Sequence, residues 1–171
     1  MIMRKTVFIF LAAAMLFCFC SCESSEAPEN EISYAHARNF QALNWDGEVI
    51  TLSDFIGKPI VLNFWASWCP PCKAELPDFQ KAYEEYGNVE FIMLNLTDGS
   101  KETVDTAKSF ISQNEYTFPV YFDTTFSAAY AYSISSIPVT CFIDAEGNLV
   151  ASRVGMIDYE TLVSGIKEIT K

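Results

Sequence analysis

The stretch that most constrains this chain is Asn63-Phe64-Trp65-Ala66-Ser67-Trp68-Cys69-Pro70-Pro71-Cys72-Lys73-Ala74-Glu75. It opens in an apolar run, Ile60 to Phe64, that reads as a buried strand. It passes into Glu75-Leu76-Pro77-Asp78-Phe79-Gln80-Lys81-Ala82-Tyr83, whose apolar spacing reads as an amphipathic helix. Two cysteines therefore stand where a strand gives way to a helix. The first helical turn exposes unpaired N–H groups and carries the positive end of the helix dipole. A thiolate placed there is stabilised, so its pKa falls and it becomes the reactive species near neutral pH. Pro71 suits a first-turn position, because the N–H it lacks would have had no partner. The junction is expected to carry redox-active thiols.

The other cysteines divide by position. Cys18, Cys20 and Cys22 cluster at the end of a leader with a basic start, Arg4-Lys5, and an apolar run from Thr6 to Phe19. The run is too short for a comfortable membrane span and has signal-peptide proportions. Residues 1–21 resemble a bacterial lipoprotein signal, with Cys22 as the lipidated residue behind the small Ser21; Phe19 departs from the Leu that is usual there. Ordinary cleavage or an uncleaved anchor are the alternatives. All three put the remaining chain outside the cytoplasm, on the periplasmic side of a bacterial envelope, where disulfides form. Residues 22–33 are polar and acidic and read as a flexible tether. Beyond the leader, 22 acidic residues stand against nine lysines and arginines, a net charge of −13. Phosphate binding needs a basic face, so nucleic acid is excluded as a partner.

Residues 34–171 read as one domain, since half of the chain is hydrophobic and 15% is aromatic. Phe40 to Asn44 and Val49 to Leu52 flank Asp46-Gly47, a hairpin signal. A helix from about Pro71 to Tyr86 stops at Gly87-Asn88. Val89 to Leu96 is a second buried strand, and a helix follows from Val104 to about Asn114. Pro119 to Asp123 is a short strand and Phe126 to Tyr132 a short helix. Val139 to Ile143 and Leu149 to Val154 form a closing hairpin across Asp144 to Asn148. Asp158 caps a last helix whose apolar face is Leu162, Val163, Ile166 and Ile169. Strands alternating with helices imply an α/β sheet, made mixed by the closing hairpin.

With these elements placed, the chain resembles the TlpA/ResA/DsbE-like thiol–disulfide oxidoreductases of the thioredoxin superfamily. The resemblance is carried by Asn63 to Pro77, by Ile137-Pro138-Val139-Thr140-Cys141-Phe142-Ile143-Asp144 and by Glu146-Gly147. It implies a three-layer sandwich, a mixed central sheet flanked by helices, with an added N-terminal β-hairpin. It implies a cis peptide between Ile137 and Pro138 beside the cysteine pair, with Cys69, Cys72, Glu75 and Pro138 as the catalytic set. Trp68, Pro70, Pro71 and Ile137 are the expected substrate-binding residues. No cofactor is implied beyond a redox-active Cys69–Cys72 disulfide, and no metal. The implied partners are protein disulfides, a membrane electron donor of the thiol-transfer type and, through the lipid anchor, the membrane; the protein is expected to be a monomer.

Cys69 is expected at the exposed end of the junction as the attacking thiolate. Cys72, one turn further in, is expected to be buried and to resolve the mixed disulfide. Thioredoxins proper carry a buried Asp where this chain has Asn63, which cannot titrate. Glu75 then becomes the candidate proton-handling carboxylate, with an exposed helix position as its alternative. Cys141 reads as a buried, inert thiol, and the single histidine, His36, as a surface residue. The expected function is reduction of protein disulfides in the envelope, with cytochrome c maturation as one setting. A peroxidase or a copper-delivery module on the same fold are the alternatives.

Overall fold

The computed structural model describes residues 35–171; the expected leader, the expected lipidation site Cys22 and the expected acidic tether lie outside the described residues. The elements run β1 (Ala35–His36), β2 (Gln41–Leu43), β3 (Val49–Thr51), β4 (Ile60–Trp65), α1 (Pro70–Glu85), β5 (Glu90–Asn95), α2 (Val104–Gln113), β6 (Val120–Phe122), α3 (Ser127–Ala131), β7 (Val139–Ile143), β8 (Asn148–Val154) and α4 (Tyr159–Ile169). They build one mixed sheet in the order β1-β8-β7-β4-β5-β6-β2-β3. β4, β5 and β6 are parallel; every other pairing is antiparallel.

All six residues of β4 are buried, because the sheet is covered on both faces. Successive side chains of a strand point to opposite faces, and the two core layers follow that rule. Val61 and Trp65 pack with Leu76 and Phe79 of α1, Ala107 and Ile111 of α2, and Leu162 and Ile166 of α4. Ile60, Leu62 and Phe64 pack on the other face with Ala128 of α3 and Leu52 of a short 3-10 turn. Asn63 shares the face of Val61 and Trp65, so the alternation places a polar side chain under α1. In register beside it on β7 stands Thr140.

The expected hairpin is present as β2 and β3. Asn44 Oδ1 accepts from the N–H groups of Asp46 and Glu48, and Gly47 takes φ +86°, a left-handed turn that glycine adopts without strain. Leu43 then pairs with Phe122, which adds the hairpin to the edge at β6. The apolar face of α4 differs from expectation. Leu162, Ile166 and Ile169 are buried as expected, but Val163 is only half-buried and Gly165 takes the innermost position. The reason is steric: a Cβ on Gly165 would lie 2.3 Å from the Phe142 ring of β7. A side chain here would hold the helix off the sheet.

Gly165→Ala is therefore expected to destabilise the protein by about 1–3 kcal/mol through overpacking, despite alanine's better helix propensity. Urea denaturation checks it; an unchanged or raised midpoint would mean that Phe142 can swing aside.

Candidate active site

The junction read from the sequence is a helix cap made of sulfur. Cys69 is the N-cap of α1, in an extended conformation, and Pro70 and Pro71 occupy its first positions. The helix thus starts one residue earlier than expected, since Pro70 also has no N–H to satisfy. Cys69 and Cys72 form a disulfide. The Cys72 N–H donates to Cys69 Sγ at 3.3 Å, the bond that an N-cap oxygen would usually accept. Cys69 N–H donates to the Ala66 carbonyl at 3.1 Å, closing a tight turn before the helix.

Ile137 and Pro138 lie across from this cap, joined by a cis peptide. The Ile137 carbonyl oxygen is 3.8 Å from Cys69 Sγ. In the disulfide this sulfur carries no proton, so the pair is a contact; in the dithiol the Cys69 thiol can donate to it. A groove of about 390 Å³ opens here. Trp68, Pro70, Pro71 and Ile137, the four expected substrate-binding residues, all line it with Cys69, and Leu96, Phe126 and Ile134 complete its apolar wall. Cys69 itself is only 3% exposed, where an exposed sulfur was expected. The Ala66–Cys69 turn folds the cap inward against Ile137, so the groove is the approach to it. Cys72 is fully buried, as expected.

Glu75 does not sit on an exposed helix face: it is 1% exposed. Three residues after Cys72 on α1, it shares that side of the helix. Asn63 Nδ2 donates to Glu75 Oε1 at 2.8 Å and to Thr140 Oγ1 at 3.1 Å, while Ile157 N–H donates to Glu75 Oε2 at 3.0 Å. Asn63 Oδ1 has no hydrogen-bond partner. Burial pushes the Glu75 carboxyl up from 4.5 to about 7, with the bonds from Ile157 and Asn63 pulling it part of the way back. A carboxyl poised near neutrality can take up or release a proton under working conditions. When Glu75 holds its proton, a turned Asn63 amide can accept it on Oδ1.

Cys141 lies in the opposite core layer, with Ile60, Leu62 and Val139, and burial pushes its thiol up to about 12. His36 is exposed on β1. One buried group was missed by the sequence reading. Glu102, in the loop before α2, is fully buried and accepts from Ser67 N–H at 3.1 Å, Ser67 Oγ–H at 2.7 Å and Asn95 Nδ2 at 2.8 Å. Nothing local marks it out; only its place one residue before the α2 cap, Thr103, sets it apart from other loop glutamates.

A mixed sheet with a CxxC disulfide at a strand–helix junction, facing an Ile-Pro turn, defines a thiol–disulfide oxidoreductase of the thioredoxin class. A sequence profile of the AhpC/TSA family matches residues 34–152. The thiol-disulfide oxidoreductase ResA of Oceanobacillus iheyensis is 34% identical over 174 residues, 98% of this chain and 88% of that protein. Among solved structures, a DsbE-like thiol:disulfide interchange protein from Chlorobium tepidum aligns with a TM-score of 0.72 at 27% identity, over 81% of this chain and 97% of that one. The exposed lipoprotein thioredoxin Etrx1 of Streptococcus pneumoniae aligns with a TM-score of 0.65 at 31% identity, over 76% and 98%. The chain belongs to the AhpC/TSA family and, within it, to the ResA-type thiol–disulfide oxidoreductases.

The Glu75 environment has a sign that can be read in stability. Between about pH 4.5 and 7 the unfolded chain releases this proton and the folded chain keeps it. Stability from this group is therefore full below that window, falls across it by about 3 kcal/mol, and stays lower above it. Glu75→Gln is expected to remove that fall, so the variant gains on the wild type by a few kcal/mol between pH 4.5 and 8. Urea denaturation at the two pH values measures it; a constant difference would overturn it.

Proposed function

We propose that this protein reduces disulfides in other proteins outside the cytoplasm, with Cys69 attacking and Cys72 resolving. The observation that carries the reading is the cap itself: Cys69 Sγ accepts the Cys72 N–H at the start of α1 and faces the groove. The same N–H and the helix dipole stabilise a Cys69 thiolate once the disulfide is opened. The thiolate attacks one sulfur of a substrate disulfide; a mixed disulfide forms and the other substrate sulfur leaves as a thiolate that takes a proton. Cys72 then gives its proton to Glu75 and attacks Cys69 Sγ. The Cys69–Cys72 disulfide closes, the second substrate sulfur leaves, and two electrons have passed to the substrate. A dithiol donor reverses the cycle.

Trp68, Pro70, Pro71 and Ile137 form the walls that a substrate segment meets, with Pro138 holding the Ile137 backbone beside the sulfur. The resemblance to ResA- and DsbE-like proteins supports protein disulfides as substrates, apocytochrome c among them, and a membrane thiol-transfer protein as electron donor. The Cys22 signal, together with the likeness to a protein described as an exposed lipoprotein, supports a lipid tether with residues 34–171 as the redox domain.

Two measurements test this. Equilibration with glutathione is expected to give a potential near ~−270 mV, as for a reductant; a value near ~−120 mV would make the protein an oxidant instead. Cys72→Ser is expected to accumulate mixed disulfides with substrate proteins, and Cys69→Ser to trap none. The reverse pattern would exchange the two roles.

A further inference from the structure

The loop between β5 and α2 grips the active-site turn at two points. Glu102 takes the Ser67 backbone N–H, the Ser67 hydroxyl and the Asn95 amide on its two oxygens, all within 3.1 Å. Next to it in sequence, Lys101 Nζ lies 3.6 Å from the centroid of the Trp68 ring. Ser67 and Trp68 are the two residues immediately before Cys69, and Trp68 is a wall of the groove.

The gripping loop is itself bonded internally. Asp98 accepts from the N–H groups of Ser100, Lys101 and Glu102 at 2.7, 2.7 and 2.9 Å, and Gly99 N–H donates to the Glu102 carbonyl. Asn95 ties the arrangement to the end of β5, where Thr97 Oγ1–H donates to Asn95 Oδ1 at 2.8 Å. A fully buried carboxylate needs such donors, because an unmet one costs far more than a hydrogen bond returns. Glu102 therefore has a fixed place, and through it the Ser67 backbone has one.

We propose that Glu102 is a positioning residue for disulfide exchange: it fixes Ser67, and with Lys101 on Trp68 it sets the wall against which a polypeptide substrate is held at Cys69. The proposal rests on the reductase reading, since it concerns how that same groove holds its substrate. Glu102 does not touch the sulfurs. Its loss should weaken the holding of a large substrate and leave thiol chemistry with a small disulfide intact. Glutamine can keep the anchor: its carbonyl accepts from Ser67 N–H and Asn95, and its amide donates to a rotated Ser67 hydroxyl.

The test compares wild type, Glu102→Ala and Glu102→Gln in two reactions: reduction of insulin disulfides with dithiothreitol as donor, and the reaction of the reduced protein with 5,5′-dithiobis(2-nitrobenzoate). Glu102→Ala is expected to raise KM for insulin about tenfold, with kcat and the small-disulfide rate held within about twofold, and Glu102→Gln to restore KM. Equal loss in both reactions, an unchanged KM, or no restoration by Gln would overturn the proposal. Failure of the wild type to reduce insulin would count against the reductase reading alone. In that case hydrogen exchange at the Ser67 amide decides the anchor: it must speed up in Glu102→Ala and stay slow in Glu102→Gln, and any other pattern sinks it.

Discussion

A carboxyl group enclosed by protein must be met by donors or keep its proton, and that constraint at Glu75 organises the working end of this molecule. Its two oxygens are held from β4 by Asn63 and from the β8–α4 connection by Ile157. Asn63 in turn reaches Thr140 on β7. Three segments remote in sequence are therefore tied to the second turn of α1, and the helix start, where the sulfur sits, is held between them. An exposed carboxylate could do none of this, because its bonds would compete with water at little net gain. The near-neutral titration follows from the same enclosure: burial disfavours the charge more than the two donors favour it.

Two buried carboxyl groups serve the segment around the cap, Glu75 three residues after Cys72 and Glu102 through Ser67, and their surroundings differ. Glu75 has one neutral amide and one backbone N–H, and its amide partner keeps an acceptor in reserve. Glu102 has three donors converging on it. The first arrangement tolerates a proton coming and going; the second suits an anchor. The bonds that respond to a proton on Glu75 are thus not the bonds that hold Ser67. Glu75 lies on the helix, while the turn carrying Ser67 is bonded by Glu102.

Much of the architecture was legible because its signals are local. The strand–helix junction at Cys69, the Asp46-Gly47 turn, the Asp158 cap and the apolar run of β4 each declare themselves within a few residues. What stayed hidden depends on contacts between distant segments. Whether Glu75 was buried could not be decided from α1, since its partners are 12 residues before it and 82 after it. Glu102 looks like any loop glutamate until Ser67 and Asn95 are folded against it. Val163 has the right spacing for an inner face, yet the close approach of Phe142 gives that place to Gly165. The exposure of Cys69 was misjudged for a similar reason. Helix-end position alone predicts an open sulfur, and only the turn at Ala66 and the opposing Ile137 carbonyl show it to be sheltered.

At the end of the sheet beyond β2 the outermost strand is β3, three residues long. An unpaired strand edge is a template on which another extended chain can add, and short edges offer little purchase for that. For a protein proposed to meet other polypeptides while their cysteines are still being sorted, the brevity has a consequence. A visiting chain can be engaged at the sulfur and its groove, but finds no long backbone ladder at the β3 edge. An extended substrate chain gains little at that edge beyond what the groove at Cys69 gives it.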